Sequence, residues 1–255
     1  MKITAIVITF NEEANIARAL TSLAWADEII VVDSESRDRT VELARSFTER
    51  VIVRRWPGYS AQKNFAAEQA SHDWIFSLDA DEEVSAGLRQ AIESLKLAKD
   101  LGVAGFEVSR MAFYLGRWIR YSGWYPDWKL RLYDRRRARW VGDYVHEGVE
   151  VDGETARLNG DLLHFTVNNA SEHHLRIDRY TTLAAEQAHA RGKRAGLASL
   201  ILSPPLTFIR SYLFKLGFLD GLPGYAIARF AAHYAFLKNL KLWELSKGKH
   251  RPADQ

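Results

Sequence analysis

The chain has 255 residues, 47% of them hydrophobic and 26% charged, which is enough apolar material to bury a sizeable core and excludes a disordered chain. A formal net charge of +3 is too small to argue for a nucleic-acid partner. With no cysteine, a disulfide framework, thiolate metal sites and a cysteine nucleophile are all excluded.

ITAIVITF, residues 3–10, is a continuous β-branched run and predicts a strand buried on both faces. The run is short and ends at Asn11, Glu12 and Glu13, so it reads as a first strand and not as a secretory signal. Residues 11–25 carry Ile16, Leu20 and Leu23 at helical spacing. EIIVVDS (28–34) predicts a second strand, 36–47 a second helix, VIVRRW (51–56) a short third strand, and 60–71 a third helix capped by Ser60. WIFSLD (74–79) predicts the fourth strand. Strands alternating with helices over short connections predict an α/β fold with a parallel sheet over residues 1–100.

Ligands bind such sheets outside the carboxyl ends of the strands. Thr9–Asn11, Asp33 and Asp79–Asp81 stand at those ends. The stretch DWIFSLDADEEV (73–84) crowds Asp79, Asp81, Glu82 and Glu83 together, where like charges repel unless a cation sits among them. Two readings are open on these residues alone: acids opening a helix, or a divalent-metal site at a strand end. Neither G-x-G-x-x-G nor G-x-x-x-x-G-K-[ST] is present, so the classical dinucleotide and P-loop folds have no support.

Residues 100–165 are rich in arginine, aromatics and glycine. VAGFEVSR (103–110), KLRLYDRR (129–136) and RLNGDLLHFTV (157–167) predict strands, with residues 116–128 as a loop over a pocket. Residues 171–192 predict a helix stopped by Gly192. Beyond residue 199, Pro204 and Pro205 predict a break. The apolar stretches that follow are interrupted by Arg210, Lys215, Arg229, Lys238 and Lys241. That pattern predicts amphipathic helices on an anionic membrane surface and not a spanning helix; packing on the chain's own core or in a homo-dimer is the alternative.

Taken together, ITFNEEANI, VVDSESRDRT, GYSAQKNFA and LDADEEV, followed by WKLRLYDRR, VHEGV, LLHF and the tail from 208 to 242, resemble the family-2 inverting glycosyltransferases. The subgroup of lipopolysaccharide-core β-1,4-glucosyltransferases is the most similar. The resemblance runs from about residue 3 to about residue 245. It departs from the family's usual motifs at Glu35 and at Gln62–Phe65, and it lacks the Q-x-x-R-W of processive members.

The resemblance implies a GT-A (Rossmann-like) fold, with a mixed, mainly parallel sheet flanked by helices and a C-terminal helical membrane-associating tail. Its divisions would be a nucleotide-sugar-binding half (1–100), an acceptor-binding half (101–198) and the tail (199–255). It implies transfer of glucose from UDP-glucose, with inversion, to a lipid-linked or lipopolysaccharide-core acceptor at the inner face of the cytoplasmic membrane. Other UDP- or GDP-sugars, or an inactive carbohydrate-binding protein, remain alternatives. A nucleotidyltransferase is disfavoured because TFNEEAN stands where a glycine-rich loop would be needed.

Site residues follow from the same resemblance. Asp79-Ala80-Asp81 matches D-x-D, the first acid reaching the ribose and the second a Mg2+ or Mn2+ ion, with the ion lying between Asp79 and Asp81 and His164 as a further ligand. Asp33 would accept from the base, the backbone at Thr9 and Asn11 would touch it, Glu12 would reach the ribose, and Lys63 the phosphates. Glu147 is the expected general base and Asp127 the runner-up. Lys129, Arg131 and Arg135 alternate as one strand face and would meet the donor diphosphate or a phosphorylated acceptor, a solvated basic strand being the alternative.

Overall fold

The computed structural model describes residues 1–98, 101–142, 147–167 and 169–247. Val145 and His146 of the VHEGV motif and residues 248–255 of the tail lie outside that set. Two compact units are present, one of residues 1–111 and 126–165, the other of 112–125 and 166–255. These divisions differ from 1–100, 101–198 and 199–255 because strands formed after residue 100 pair back into the first unit's sheet.

In the first unit β1 (Ile3–Thr9), β2 (Glu28–Asp33), β3 (Val51–Val53) and β4 (Trp74–Asp79) run parallel in the order β3-β2-β1-β4. All seven residues of β1 are buried, and they divide by the two-residue strand period. Ile3, Ala5 and Val7 join one core cluster with Ile16 and Leu20 of α1 (Ile16–Thr21). Ile6 and Ile8 join the other with Ala66 and Ala67 of α3 (Tyr59–Glu68). The intervening α2 (Thr40–Arg45) contributes Ala44 to the first cluster.

The chain steps outward from β1 to β3, then crosses back to place β4 on the other side of β1. That reversal opens a crevice at the carboxyl ends of β1 and β4. Register aligns Thr9 with Asp33 and Ile8 with Asp79, so three candidate residues share one sheet edge.

The other strands are β5 (Glu82–Val84), β6 (Gly105–Tyr114), β7 (Arg117–Trp118), β8 (Asp127–Asp134), β9 (Ala138–Val141), β10 (Gly148–Val151) and β11 (Thr155–Val167). β8 pairs antiparallel with β4, and the sheet continues β8-β6-β11-β5. Glu82 and Glu83 therefore lie in a strand; α4 (Ala86–Lys96) starts later, with Ser85 Oγ accepting from the Leu88 amide. Expected loop 116–128 contains β7, and α3 starts from Gly58 at φ +113° and not from Ser60, whose hydroxyl donates to the Gly142 carbonyl.

The second unit holds α5 (Ala170–Ala190), α6 (Leu197–Ile209), a π-helical turn at Arg210–Phe214, a 3-10 turn at Gly217–Asp220 and α7 (Gly221–Lys247). Pro204 and Pro205 lie inside α6 and do not end it. Asn239 of α7 donates to Ser199 O and Ser203 Oγ just ahead of the prolines, so tertiary contacts hold the turn that the missing N–H groups weaken. Lys241 ties α7 to Asp178, Thr181 and Thr182 of α5. The Asp220 carboxylate is buried and accepts from the amides of Arg120 and Tyr121.

α7 packs on α5 and α6, whereas α6 buries none of its residues. Leu197–Phe214 carries one charge, Arg210, and by length and composition is apolar enough to cross a membrane, with a mean hydropathy of 1.3. The expectation that charges interrupt every window does not hold for this one.

Candidate active site

Lys63, one turn into α3, is buried, with its ammonium 2.9 Å from Asp79 Oδ1 and 3.7 Å from Glu147 Oε1. The other Asp79 oxygen accepts from Arg131 Nη2 at 2.7 Å. The same nitrogen donates to Glu82 Oε1 at 2.6 Å. Arg110 lies 3.5 Å from Glu82 and pairs with Asp127 at 2.7 Å, and Asp127 meets Lys129 at 3.1 Å. The result is an alternating line, Glu147–Lys63–Asp79–Arg131–Glu82–Arg110–Asp127–Lys129, in which each charge faces its opposite. Its centre is dry: Lys63, Arg131 and Glu82 are all buried. Buried charges persist only when paired this way.

The electrostatics follow from that geometry. Burial opposes ionisation of Asp79, but Arg131 and Lys63 outweigh it and hold the carboxyl well below the usual range. Arg131 is likewise penalised by burial, and Asp79 and Glu82 more than restore its charged form. Asp127 is lowered too, Arg110 and Lys129 overcoming desolvation. Lys63 also sits 4.1 Å over the Trp140 ring, a cation–π contact that helps a buried ammonium.

Asp79 and Asp81 do not point the same way. The chain turns at Ala80–Asp81, which breaks strand alternation. Asp79 joins the charged line, while Asp81 Oδ2 lies 3.2 Å from His164 Nε2. The Asp81 carbonyl accepts from the Phe165 amide, fixing this turn against β11. Among the described residues no group of three or more His, Asp or Glu side chains converges as a metal cage. Asp81 and His164 offer one carboxylate and one imidazole, a donor pair that suits a divalent ion completed by substrate phosphates and water. Asp79 has both oxygens committed to cations and does not join them.

At the nucleotide edge, the loops after β1 and β2 are stitched together. Asn11 N donates to Ser36 Oγ, Arg37 N to Asn11 Oδ1, and Ser34 N to Thr9 O. Asn11 and Glu35 both adopt left-handed φ, at 53° and 64°. Asp33 is fully buried, and its two oxygens accept from the amide and hydroxyl of Ser36, the turn role that aspartate also plays in ordinary loops. Glu12 accepts from Asn15 Nδ2 at the start of α1. Two buried oxygens at this edge, Thr9 Oγ1 and Gln62 Oε1, lack a hydrogen-bond partner among the described residues.

Arg135 is not brought to the site. It lies past the end of β8, where its guanidinium donates to the carbonyls of Ala67 and Ala70 at the C-terminal end of α3. Its expected face with Lys129 and Arg131 ends with the strand. Sequence reasoning also missed Glu82, Arg110 and Gln62. Glu82 was visible as part of the acidic run, but its burial depends on β5 pairing with β11; nothing local marks Arg110 or Gln62.

The description "Glycosyl transferase family 2" matches residues 4–149. A lipopolysaccharide core biosynthesis glycosyltransferase, LpsC, of Rhizobium meliloti (strain 1021) is 34% identical over 99% of this chain and 96% of its own length. An uncharacterized glycosyltransferase of Rickettsia typhi (strain ATCC VR-144 / Wilmington) is 31% identical over 96% of this chain and 88% of its own. Among solved structures, a mannosyltransferase of Pyrobaculum calidifontis in complex with GDP-Man and Mn2+ is similar with a TM-score of 0.55 and 17% identity, covering 97% of this chain and 88% of that one. That likeness speaks to the fold alone, and it agrees with the GT-A arrangement expected above.

Proposed function

This chain belongs to glycosyl transferase family 2, and from that premise we propose that it moves glucose from UDP-glucose, with inversion, to a lipopolysaccharide-core or other lipid-linked acceptor. The core-biosynthesis relative supports the acceptor class. The observation that carries the reading is the Lys63 ammonium shared by Asp79 and Glu147, which ties the D-x-D turn to a carboxylate well separated from it in sequence.

Glu147 is proposed as the general base. Its Oε2 has no hydrogen-bond partner among the described residues, so one acceptor is uncommitted. Asp127, the runner-up, is held between Arg110 and Lys129 and kept a weak base by them. Glu147 takes the proton of the acceptor hydroxyl, and the freed oxygen bonds to the anomeric carbon. The carbon–oxygen bond to the diphosphate breaks with its electron pair on the opposite face, which inverts the centre. Asp81 and His164 would hold Mg2+ or Mn2+, which supplies charge neutralisation to the leaving diphosphate; the imidazole favours Mn2+. Thr9, Asn11 and Gln62 line the base-binding edge. Asp33 sets the shape of its loop, Glu12 approaches the ribose, and Lys63 keeps Asp79 and Glu147 in place.

The enzyme is proposed to sit peripherally on the inner face of the cytoplasmic membrane. Support comes from α6, where Leu197, Ile201, Leu202 and Leu206 are more than half exposed, and from residues 187–219, which contain no acid but include Arg191, Lys193, Arg194, Arg210 and Lys215. The test is UDP release from UDP-glucose with and without Mn2+, beside UDP-galactose, UDP-N-acetylglucosamine and GDP-mannose. Metal-dependent turnover of UDP-glucose above the others is expected, and faster turnover of any other sugar overturns the donor assignment. Flotation on anionic vesicles at low salt tests the location, and protein left at the bottom of the gradient refutes it.

A further inference from the structure

The second unit contains an open groove of about 360 Å3 whose walls come from α5, α6, α7 and Trp124. Ile177, Ile227, Phe230 and Ala231 line it with Trp124, so its surface is mostly aliphatic and aromatic. The volume falls within the roughly 300–1,000 Å3 of small-molecule pockets, which share this apolar lining with a few polar groups.

The polar groups are specific. His173 shares a 2.7 Å hydrogen bond with the Tyr114 hydroxyl through Nδ1 and packs 4.2 Å from the Phe230 ring. Burial, with Arg176 beside it, pushes its pKa down to about 4, so this wall is uncharged at neutral pH. Among the described residues no acid lines the groove. Lys238 is its single formal charge among the described residues and forms no ion pair among them. Its neighbour Lys241, by contrast, is neutralised by Asp178. An apolar slot with one unpaired cation is complementary to an amphiphile with an anionic head.

The groove also borders the exposed helix. Thr207 lines it from α6, one residue from Leu206 on the exposed apolar side.

We infer that this groove binds one acyl chain of an anionic membrane phospholipid, with the chain against Trp124, Ile177 and Phe230 and the phosphate against Lys238. The groove shares no residue with the nucleotide edge, and its binding does not depend on which sugar is transferred.

The test is calorimetric titration of the full chain with a twelve-carbon lysophosphatidic acid kept below its micelle concentration. One-to-one saturable binding is expected, at least tenfold tighter than for the zwitterionic lysophosphatidylcholine of the same length. Ala231→Phe, which fills the slot, should weaken binding at least tenfold, and Lys238→Met should abolish the preference for the anionic head. Leu97→Ser, at an exposed leucine after α4 in the first unit, should change neither. Ile177→Phe replaces the filling variant if Ala231→Phe does not fold, with retained UDP binding as the check on the first unit. Absent saturable binding, or binding that survives both filling variants, overturns the inference. Equal affinity for the two heads refutes the role of Lys238. Binding that requires a sugar-bearing lipid would identify the groove as part of the acceptor site and refute the phospholipid.

Discussion

Lys63 and Asp79 form an ion pair, ammonium to carboxylate at 2.9 Å, in which the cation is almost wholly sealed from solvent and the carboxylate is partly exposed. Removing one partner of a fully buried pair costs about 3–5 kcal/mol, but Asp79 is 27% exposed and keeps Arg131 at 2.7 Å. Lys63→Met should therefore lower unfolding stability by less, about 1–3 kcal/mol, in urea titration. A change under about 1 kcal/mol would mean that water reaches Asp79 and screens it.

Glu147→Gln should leave UDP binding near that of the wild type and cut kcat by on the order of a hundredfold or more, as loss of a general base does. Asp127→Asn should retain most of the turnover, because that carboxylate is committed to Arg110 and Lys129. Steady-state kinetics of the two variants side by side decides between the carboxylates, and the reverse ranking would transfer the base to Asp127.

Asp81→Asn and His164→Asn should each weaken UDP binding in the presence of Mn2+ and change it little in EDTA. Both side chains lie at the D-x-D turn and retain partial exposure, so the fold should survive, which circular dichroism can verify. An affinity for UDP–Mn2+ unchanged in both variants would remove the metal role from this pair.

Acid should destabilise the protein in a defined window. Asp79 and Asp127 have folded pKa values below the unfolded value of about 3.9. A depressed carboxylate contributes stability that is present above the unfolded pKa and is lost as pH falls through the folded one. Thermal melts should thus begin to fall below about pH 6.5, where the unfolded chain protonates His173 while the folded one, at about 4, does not, and fall further below about pH 4 as the carboxylates take up protons. Asp79→Asn should melt lower at pH 6 and show a shallower acid slope; parallel slopes would exclude Asp79 as a source of the effect.

Gly160 in β11 has φ +98°, and a Cβ there would lie 2.2 Å from the Leu88 backbone nitrogen at the start of α4. Gly160→Ala combines a disfavoured φ with a backbone clash and should cost at least about 1–3 kcal/mol, measured by chemical denaturation. A neutral substitution would show that α4 can shift away from the strand.

The parallel half of the sheet was legible because its signals are local. The β-branched runs at 3–10, 28–34 and 74–79 and the helical spacing between them require no knowledge of distant residues, and they place Thr9, Asp33 and Asp79 on one edge. The family motifs, which end at those same strands, were legible for the same reason. The charged line was not. Lys63, Asp79, Glu82, Arg110, Arg131 and Glu147 come from separate elements, and only antiparallel pairing of β8 with β4 and β6 puts Arg131 between Asp79 and Glu82. In sequence, Glu82 looks like the solvated start of a helix, and Arg135 like a companion of Arg131. Burial in β5 and the end of β8 reverse those two assignments. Whether a charge is buried and which partner compensates it depend on packing between residues far apart in the chain, and hydrophobic periodicity carries no record of that.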